Sequence, residues 1–357
     1  MAGNANLYTA RAAKNDEFYT QWNDIENEMQ AYLEYNPNVF RGKVVFLPCD
    51  DPEASNFTKY FALNFNKLGL KKLISTSYAP CRKGRICVME QGANLNDGAS
   101  LNKECLEWDY LEGDGDFRSE EVTKLRDEAD IVVTNPPFSL FREFLTWLVE
   151  GDIEFAVIGS MNAVTYKEIF PLFKDNKMWP GTAFNKTMGF AVPADYYAAK
   201  DAELDKYGNR LVKVPAIAWF TNIEHGRRHE PLPLMTTDDN LRYNKRIMGS
   251  PNSYKNYDNY DAIEVPFTSG IPSDYEGVMG VPISFLGKYN PEQFEILDYP
   301  DGKVGPGQWI PYIEGTAKYA RILIRHRRLI IQSLSRSRSG QSSLRCKRGL
   351  SHVEVRG

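Results

Sequence analysis

A chain of 357 residues with 42% hydrophobic and 25% charged residues has the composition of a globular protein, and its length suits one large domain with a smaller attachment. It contains no run of about 18 apolar residues and its N-terminus is polar, so neither a membrane span nor a secretory signal is expected. The net charge of −4 is uneven, because Lys318 to Gly357 carries eleven Lys and Arg and one Glu. This charge distribution argues against a protein that binds DNA over its whole surface, but it allows one that recognises DNA in a single cleft.

The five cysteines are odd in number and scattered, which indicates reduced thiols and a cytoplasmic protein. Cys81 and Cys87 lack the close spacing of zinc ligands. His225 and His229 are four residues apart, but no cysteine pair lies near them. We therefore expect no metal site.

Strands and helices alternate along the first half of the chain, which is typical of an α/β fold. Apolar runs predict buried strands, and apolar residues at helical spacing predict helices. Strands are predicted at 43–48, 70–77, 85–89, 130–134 and 153–160. Helices are predicted at 55–68, 118–128, 138–149 and 164–173.

The pattern changes after Gly181. Short strands are predicted at 188–192, 214–221, 281–286 and 294–297, without clear helices between them. The segment 231–280 is rich in Pro, Gly, Asn, Asp, Ser and Tyr, which predicts long loops. The Ser/Arg-rich stretch 333–343 is predicted to be disordered.

An Asn-Pro-Pro-Phe sequence follows the predicted buried strand that begins at Asp130. Pro136 and Pro137 remove two N–H donors, which leaves the Asn135 side-chain oxygen and the Pro136 carbonyl as outward-facing acceptors. Two acceptors can hold both hydrogens of an exocyclic amino group and free its lone pair to attack an electrophilic methyl group. Phe138 offers a ring on which a planar base stacks. The alternative is an ordinary strand-to-helix turn with proline in the first helical turn.

This motif resembles the catalytic loop of adenine-specific amino-methyltransferases. From about Asn15 to Arg325 the chain is most similar to the EcoRI-type adenine methyltransferase family. A Phe-Tyr-Thr element, an Asp-Asp-Pro loop after the first strand, a Gly-Asp-Phe element at Gly115 and the catalytic loop occur in the family's order. The resemblance implies S-adenosylmethionine as cofactor and no metal.

Two of these elements have implied roles in cofactor binding. The Phe-Tyr-Thr element is expected to lie against the methionine part of the cofactor, and Asp116 to hold its adenine amino group. The candidate cofactor-binding residues are Phe18, Tyr19, Thr20, Asp50, Asp51, Pro52, Ser55, Asn56, Asp116 and Phe117. Unlike most methyltransferases, the loop after the first strand has no glycine between Asp51 and Phe57. We expect a turn in which Ser55 or Asn56 caps the next helix instead.

The resemblance implies a Rossmann-like methyltransferase sheet with helices on both faces, plus a loop-rich target-recognition region. We expect the cofactor-binding and catalytic domain at 1–225, the target-recognition region with returning strands at 226–325 and a basic, disordered tail at 326–357. Cations, amides and tyrosines after residue 226 suit phosphate and base-edge contacts, although solvated loops are the alternative. The candidate DNA-binding residues are Arg227, Arg228, Arg242, Lys245 and Arg246.

The implied reaction transfers a methyl group from S-adenosylmethionine to the N6 atom of an adenine that is flipped out of double-stranded DNA. It would serve restriction-modification, with a partner endonuclease, or protection of phage or host DNA. A monomer is favoured. Two alternatives stay open. The substrate could be an RNA base or a protein glutamine amide, or the chain could be a catalytically decayed DNA-binding module.

Overall fold

The computed structural model describes residues 19–91, 107–191, 203–204, 210–299, 310–318 and 321–327. Phe18 and the predicted disordered stretch 333–343 lie outside the described residues, as does the side chain of Tyr19. Within the described part of the chain, no helix is long and apolar enough to cross a membrane.

The strands are short and spread over the whole described chain. In chain order they are β1 (Tyr19–Thr20), β2 (Val44–Leu47), β3 (Lys72–Thr76), β4 (Arg85–Glu90), β5 (Asp109–Tyr110), β6 (Ile131–Thr134), β7 (Glu154–Ser160), β8 (Trp179–Pro180), β9 (Met188–Ala191), β10 (Glu203–Leu204), β11 (Arg210–Val214), β12 (Ile217–Thr221), β13 (Ile263–Glu264), β14 (Met279–Pro282), β15 (Phe294–Asp298), β16 (Tyr312–Ile313), β17 (Thr316–Ala317) and β18 (Arg321–His326).

The helices lie mostly in the first half of the described chain. They are α1 (Trp22–Tyr35), α2 (Asn56–Leu63), α3 (Phe65–Leu68), α4 (Glu120–Glu128), α5 (Phe141–Glu150), α6 (Phe170–Lys174), α7 (Thr237–Tyr243) and α8 (Lys245–Met248). Short 3-10 helices precede α5 at Phe138–Leu140 and follow β7 at Met161–Thr165.

The largest sheet has eight strands in the order β5-β4-β3-β2-β6-β7-β12-β8. Strands β3, β2, β6 and β7 are parallel, whereas β4 and β12 pair antiparallel with their neighbours. The chain passes from β2 to β3 on one side and later returns to β6 on the other side of β2. This reversal is the topological switch point at which open α/β sheets bind ligands.

Helices cover both faces of this sheet, as predicted. Successive residues of a strand point to opposite faces, so Val45 of β2 and Phe46 beside it enter two separate hydrophobic cores. The core around Phe46 includes Phe144 of α5, and the core around Val45 includes Phe61 of α2. The α/β architecture with a Rossmann-like sheet is thereby confirmed.

Several predicted elements of the second half differ from the structure. The predicted strand 214–221 is two strands, β11 and β12, because Ala216 adopts a left-handed φ of 60° and turns the chain back. The predicted strand 281–286 ends with β14 at Pro282, and a 3-10 helix follows. The predicted loop 231–280 contains α7 and α8, which Thr236 and Asn244 cap through their side chains.

A second sheet, β13-β14-β18-β15, gathers strands from the last part of the described chain. Strand β18 pairs with both β14 and β15. The expected boundary between residues 325 and 326 therefore falls inside a paired strand, and we correct it. The sequence does not predict β18, because its apolar part is only Ile322–Ile324 between charged residues.

Candidate functional site

A cleft of about 1280 Å³ lies at the carboxyl ends of β2, β3 and β6. Binding cavities for small ligands usually measure about 300–1,000 Å³, so this cleft has room for more than one small molecule. The sequence-predicted residues that line it are Thr20, Asp50, Asp51, Ser55, Asn56, Asp116, Phe117, Asn135 and Pro137. Segments more than 100 residues apart in the chain therefore meet at one place, the switch point of the sheet.

The loop after β2 is built as a helix cap, as predicted. Ser55 precedes α2, and its Oγ accepts a hydrogen bond of 3.0 Å from the Phe57 N–H. The Asp51 Oδ1 atom accepts from the N–H groups of Glu53 and Ala54 at 2.9 and 3.0 Å. Side-chain oxygens thus shape a turn for which most methyltransferases use glycine, while Pro52 is buried behind it.

Asp50 is buried in the wall of the cleft and contacts two hydroxyl groups. Its Oδ1 atom accepts from Ser55 Oγ and its Oδ2 atom from Thr134 Oγ1, each at 2.6 Å. Burial raises the pKa of Asp50 to about 7, against the lowering effect of these two hydrogen bonds. The carboxylate joins the cap of α2 to the last residue of β6.

The N-terminal strand β1 lies beside the cofactor loop. The Asn56 Nδ2 donates to the Thr20 carbonyl at 2.8 Å, and Thr20 is itself buried. This contact places the described end of the Phe-Tyr-Thr element at the cleft. Asn56 acts by holding β1, and Ser55 supplies the cap.

The Gly-Asp-Phe element reaches the cleft through a tight turn. Gly115 has a φ of 81°, and a Cβ atom there would lie 2.1 Å from the Ser77 carbonyl oxygen, so only glycine fits. The Asp116 carboxylate is paired with Arg118 at 2.6 Å, and the hydrogen bonds from Arg118 lower its pKa. The Phe117 ring packs in the core, 5.0 Å from the ring of Phe144.

The predicted catalytic loop links β6 to the 3-10 helix before α5. Asn135 and Pro137 line the cleft, Pro136 is buried, and Phe138 is half-buried with its ring 6.3 Å from Phe190 of β9. The Asn135 Oδ1 atom is buried, contrary to the expectation that it points outward. Catalytic contacts in ligand-free sites often tighten only when the ligand binds.

Thr134, which is buried beside the cleft, and a cluster around Arg85 in its wall were not predicted from the sequence. Thr134 is the only polar residue of β6, and it lies next to Asn135. That position could have indicated a role for Thr134 at the site. Arg85 pairs with Glu53 at 2.7 Å and lies 4.4 Å from the centre of the Trp108 ring. No local pattern indicates this cluster, because its members come from three separate segments.

The candidate DNA-binding residues do not form one group. Arg227 is exposed and donates to the Thr182 carbonyl at 3.1 Å. Arg228 is only 4% exposed, pairs with Glu224 at 2.7 Å and lies 3.6 Å from the centre of the Trp179 ring. Its burial leaves no surface for a phosphate, so its assignment to DNA binding is corrected.

The remaining three candidates lie on α7 and α8. Arg242, Lys245 and Arg246 are exposed. Tyr243 between them is 70% exposed, the highest value among the large hydrophobic residues described. The cations therefore share one short surface segment with an aromatic side chain that contacts little of the protein.

Comparisons with known proteins place the chain among adenine methyltransferases. The family model described as adenine-specific methyltransferase EcoRI matches residues 6–338. The chain is 44% identical over 341 residues to the Type II methyltransferase M.EcoRI of Escherichia coli, which covers 92% of this chain and 99% of that protein. No solved structure gives a significant match.

Two relatives from mycoplasmas agree with this result. The Type II methyltransferase M.MpnI of Mycoplasma pneumoniae is 38% identical over 90% of this chain and 98% of its own length. M.MgeORF184P of Mycoplasma genitalium is 40% identical over 81% of this chain and 84% of its own length. The match over nearly the whole chain confirms the resemblance seen in the motifs, and with it the activity that the motifs predicted. The chain belongs to the EcoRI family of adenine-specific methyltransferases.

Proposed function

We propose that the cleft binds S-adenosylmethionine and an adenine flipped out of duplex DNA, and that the enzyme methylates the N6 atom of that adenine. The observation that carries this proposal is the meeting of the Asp51–Ser55 loop and Asn135 in one cleft at the switch point of the sheet. Its volume of about 1280 Å³ accommodates a cofactor and a base together.

The chemistry of the cleft wall fits S-adenosylmethionine. Its sulfonium, ammonium and adenine amino groups are positive or donate hydrogen bonds, and Asp51, Glu53 and Asp116 supply carboxylates. Lys59 supplies positive charge for the methionine carboxylate, whereas Arg118 is paired with Asp116. When bound, the cofactor supplies an electrophilic methyl group on sulfur. Phe18 and Tyr19 remain proposed contacts to its methionine part.

The catalytic loop holds and orients the target base in this proposal. The Asn135 side-chain oxygen and the Pro136 carbonyl accept from the two N6 hydrogens, and Phe138 stacks on the adenine ring. Proximity and orientation supply most of the rate enhancement, because a well-oriented reaction needs no covalent intermediate with the protein. No strong base is required before transfer, since the proton leaves N6 afterwards.

Residues 1–225 form the cofactor-binding and catalytic domain in this proposal, and target choice resides in the segment from about 226 to 327. Arg242, Lys245 and Arg246 supply the long cationic side chains that contact phosphates and base edges. The relatives are called Type II methyltransferases. We infer for this chain a monomeric cytoplasmic enzyme of a restriction-modification system whose partner is an endonuclease for the same DNA sequence.

The replacement Asn135→Ala tests the assignment of the catalytic loop. We expect methyl transfer to fall by about 10²–10³ because a hydrogen bond formed in the transition state is lost. The affinity for S-adenosylmethionine should stay near normal. Labelled methyl groups transferred to unmodified genomic DNA measure the first quantity, and calorimetry measures the second.

The control is Asn66→Ala, which removes the same amide from an exposed position on α3 outside the cleft lining. In that variant both the rate of methyl transfer and the affinity for S-adenosylmethionine should match those of the unchanged enzyme. Near-normal methyl transfer by Asn135→Ala would show that Asn135 is not part of the catalytic loop. Incubating the enzyme with DNA, RNA and protein in parallel identifies the labelled substrate, and sequencing the DNA for N6-methyladenine identifies the methylated sequence.

A further inference from the structure

Asp50 is joined to three separate elements around the cleft. Its backbone N–H donates to the Thr76 carbonyl at 2.9 Å, which fixes it to the end of β3. Its two carboxylate oxygens accept from Ser55, the cap of α2, and from Thr134, the end of β6. One side chain thus links the cofactor loop to the strand that carries Asn135.

This geometry differs from that of a carboxylate that binds a ligand. Asp50 is 5% exposed, and each of its oxygens already accepts a short hydrogen bond from a protein hydroxyl. Asp51, by comparison, uses its Oδ1 atom for the turn and turns its Oδ2 atom toward Arg85 at a loose 3.4 Å. The sequence motif alone does not distinguish the two residues.

We propose that Asp50 is a positioning residue that, through Thr134, holds the catalytic loop in register with the cofactor loop, and that it contacts neither cofactor nor base. The inference rests on the proposed role of Asn135. A small displacement between two reacting groups is costly, because near-attack geometry requires contact within about 3–3.5 Å. Thr134 immediately precedes Asn135, so its hydroxyl fixes the backbone next to the amide that holds the base.

The link from Ser55 through Asp50 to Thr134, hereafter the bridge, is strongest with the ionised carboxylate, because hydrogen bonds to a charged acceptor are shorter and stronger. Ser55 and Thr134 both donate to Asp50, so a proton on either oxygen would face a donor and force one hydroxyl to rotate away. The charged group that acts on Asp50 is Asp51 beside it, which in turn contacts Arg85 of β4, while Asp116 from the loop before α4 acts on the neighbouring Cys49. Cys49, also adjacent, has its pKa raised by burial and stays neutral.

Because the pKa of Asp50 is raised to about 7, the fraction of ionised carboxylate falls as the pH is lowered through that value. The rate of methyl transfer with saturating cofactor should fall in the same range. Asp50→Asn cannot titrate, so its reduced rate should show no such dependence. A residue that serves only stability would leave the pH profile unchanged.

The test measures the single-turnover rate on unmodified genomic DNA and the affinity for S-adenosylmethionine in Thr134→Val, Thr134→Ser, Asp50→Asn and the double variant. Thr134→Val removes the hydroxyl and keeps the shape, and we expect a rate loss of about 10–100-fold with cofactor affinity within about twofold. Thr134→Ser restores the hydroxyl and should recover most of the rate. Asp50→Asn combined with Thr134→Val should lose little more than either change alone, since both break one bridge.

The matched control is Thr221→Val in β12, another buried threonine of the same sheet, whose hydroxyl donates to the Phe155 carbonyl at 2.7 Å. It should lower the melting temperature without lowering the rate. If Thr134→Val behaves like this control, the positioning role is overturned. If Asp50→Asn instead weakens cofactor binding at an unchanged rate, Asp50 is a cofactor ligand. Failure of the catalytic-loop assignment would show separately, as normal methyl transfer by Asn135→Ala.

Discussion

Arg227 and Arg228 are consecutive in the chain but lie in opposite environments. The Arg227 side chain is exposed, whereas that of Arg228 is enclosed by Trp179, Glu224 and Asn176. Burial lowers the pKa of Arg228, with Glu224 acting in the other direction. A solvated cation can exchange water for a phosphate, but a buried one first has to leave its partners.

Because Arg227 is exposed and Arg228 is buried, replacing each by Ala should have a different effect. Arg228→Ala should lower the free energy of unfolding by about 1–3 kcal/mol, because Asn176 and Glu224 lose a charged partner. Arg227→Ala should change stability by less than about 0.5 kcal/mol and should reduce the slope of DNA affinity against salt by about 1. Urea unfolding and DNA titrations at several salt concentrations measure the two quantities. If Arg228→Ala is stable and its DNA affinity depends less on salt, Arg228 does contact DNA.

At the scale of elements, α7 and α8 are stabilised locally rather than by a large core. The two helices have seven and four residues, and their N-terminal caps come from Thr236 and Asn244. Ile247 is buried under them, and Arg246 lies 4.3 Å from the centre of the Phe267 ring. Arg242, Lys245 and Arg246 are exposed on the surface of these two helices.

Replacing Arg242, Lys245 and Arg246 together by Gln should weaken DNA binding and lower the salt slope by roughly 2–3, since up to three phosphate contacts are lost. Methyl transfer with saturating DNA should change much less, because the cleft is untouched. The matched control replaces the exposed Lys67, Lys71 and Lys124 by Gln, which removes the same charge from outside the cleft and the two helices. Equal losses in both triple variants would show that net charge alone, rather than this surface, determines the affinity.

At the scale of the whole molecule, β18 is the last strand of the described chain, and its contacts extend to Arg327. His326 contacts the Pro272 carbonyl at 2.8 Å, and the Arg327 N–H donates to the Gln293 carbonyl at 2.9 Å. Truncation after Arg325 would remove both contacts, so the appropriate cut follows Arg327. The removed segment, Arg328 to Gly357, carries seven Lys and Arg and one Glu.

Truncation after Arg327 should leave the methylated DNA sequence unchanged and flatten the salt dependence of DNA binding. The segment is polar and basic, so it supplies attraction that does not depend on base sequence. A full-length variant with its seven cations replaced by Gln separates charge from length and should behave like the truncated chain. If the truncated enzyme methylates a different sequence, target choice extends into this segment.

Local patterns in the sequence determined several elements of the fold and the family to which the protein belongs. The apolar runs of β2 and β6, the buried face of α5 and the Ser55 cap depend on residues close in the chain, so periodicity and capping rules predict them. The Asn-Pro-Pro-Phe motif identified the family for the same reason, because its residues are consecutive. The left-handed turn at Ala216 and the helices α7 and α8 were missed, since their signals are short.

Only the tertiary structure decided how these parts work together. The hydrogen bond between Thr134 and Asp50 joins residues 84 positions apart, and no local pattern contains that information. The burial of Arg228 depends on Trp179 and Asn176, and the ordering of β18 depends on pairing with β14 and β15. A residue's type and neighbours in the chain determine what it can do, whereas its burial and long-range partners select which of those roles it has.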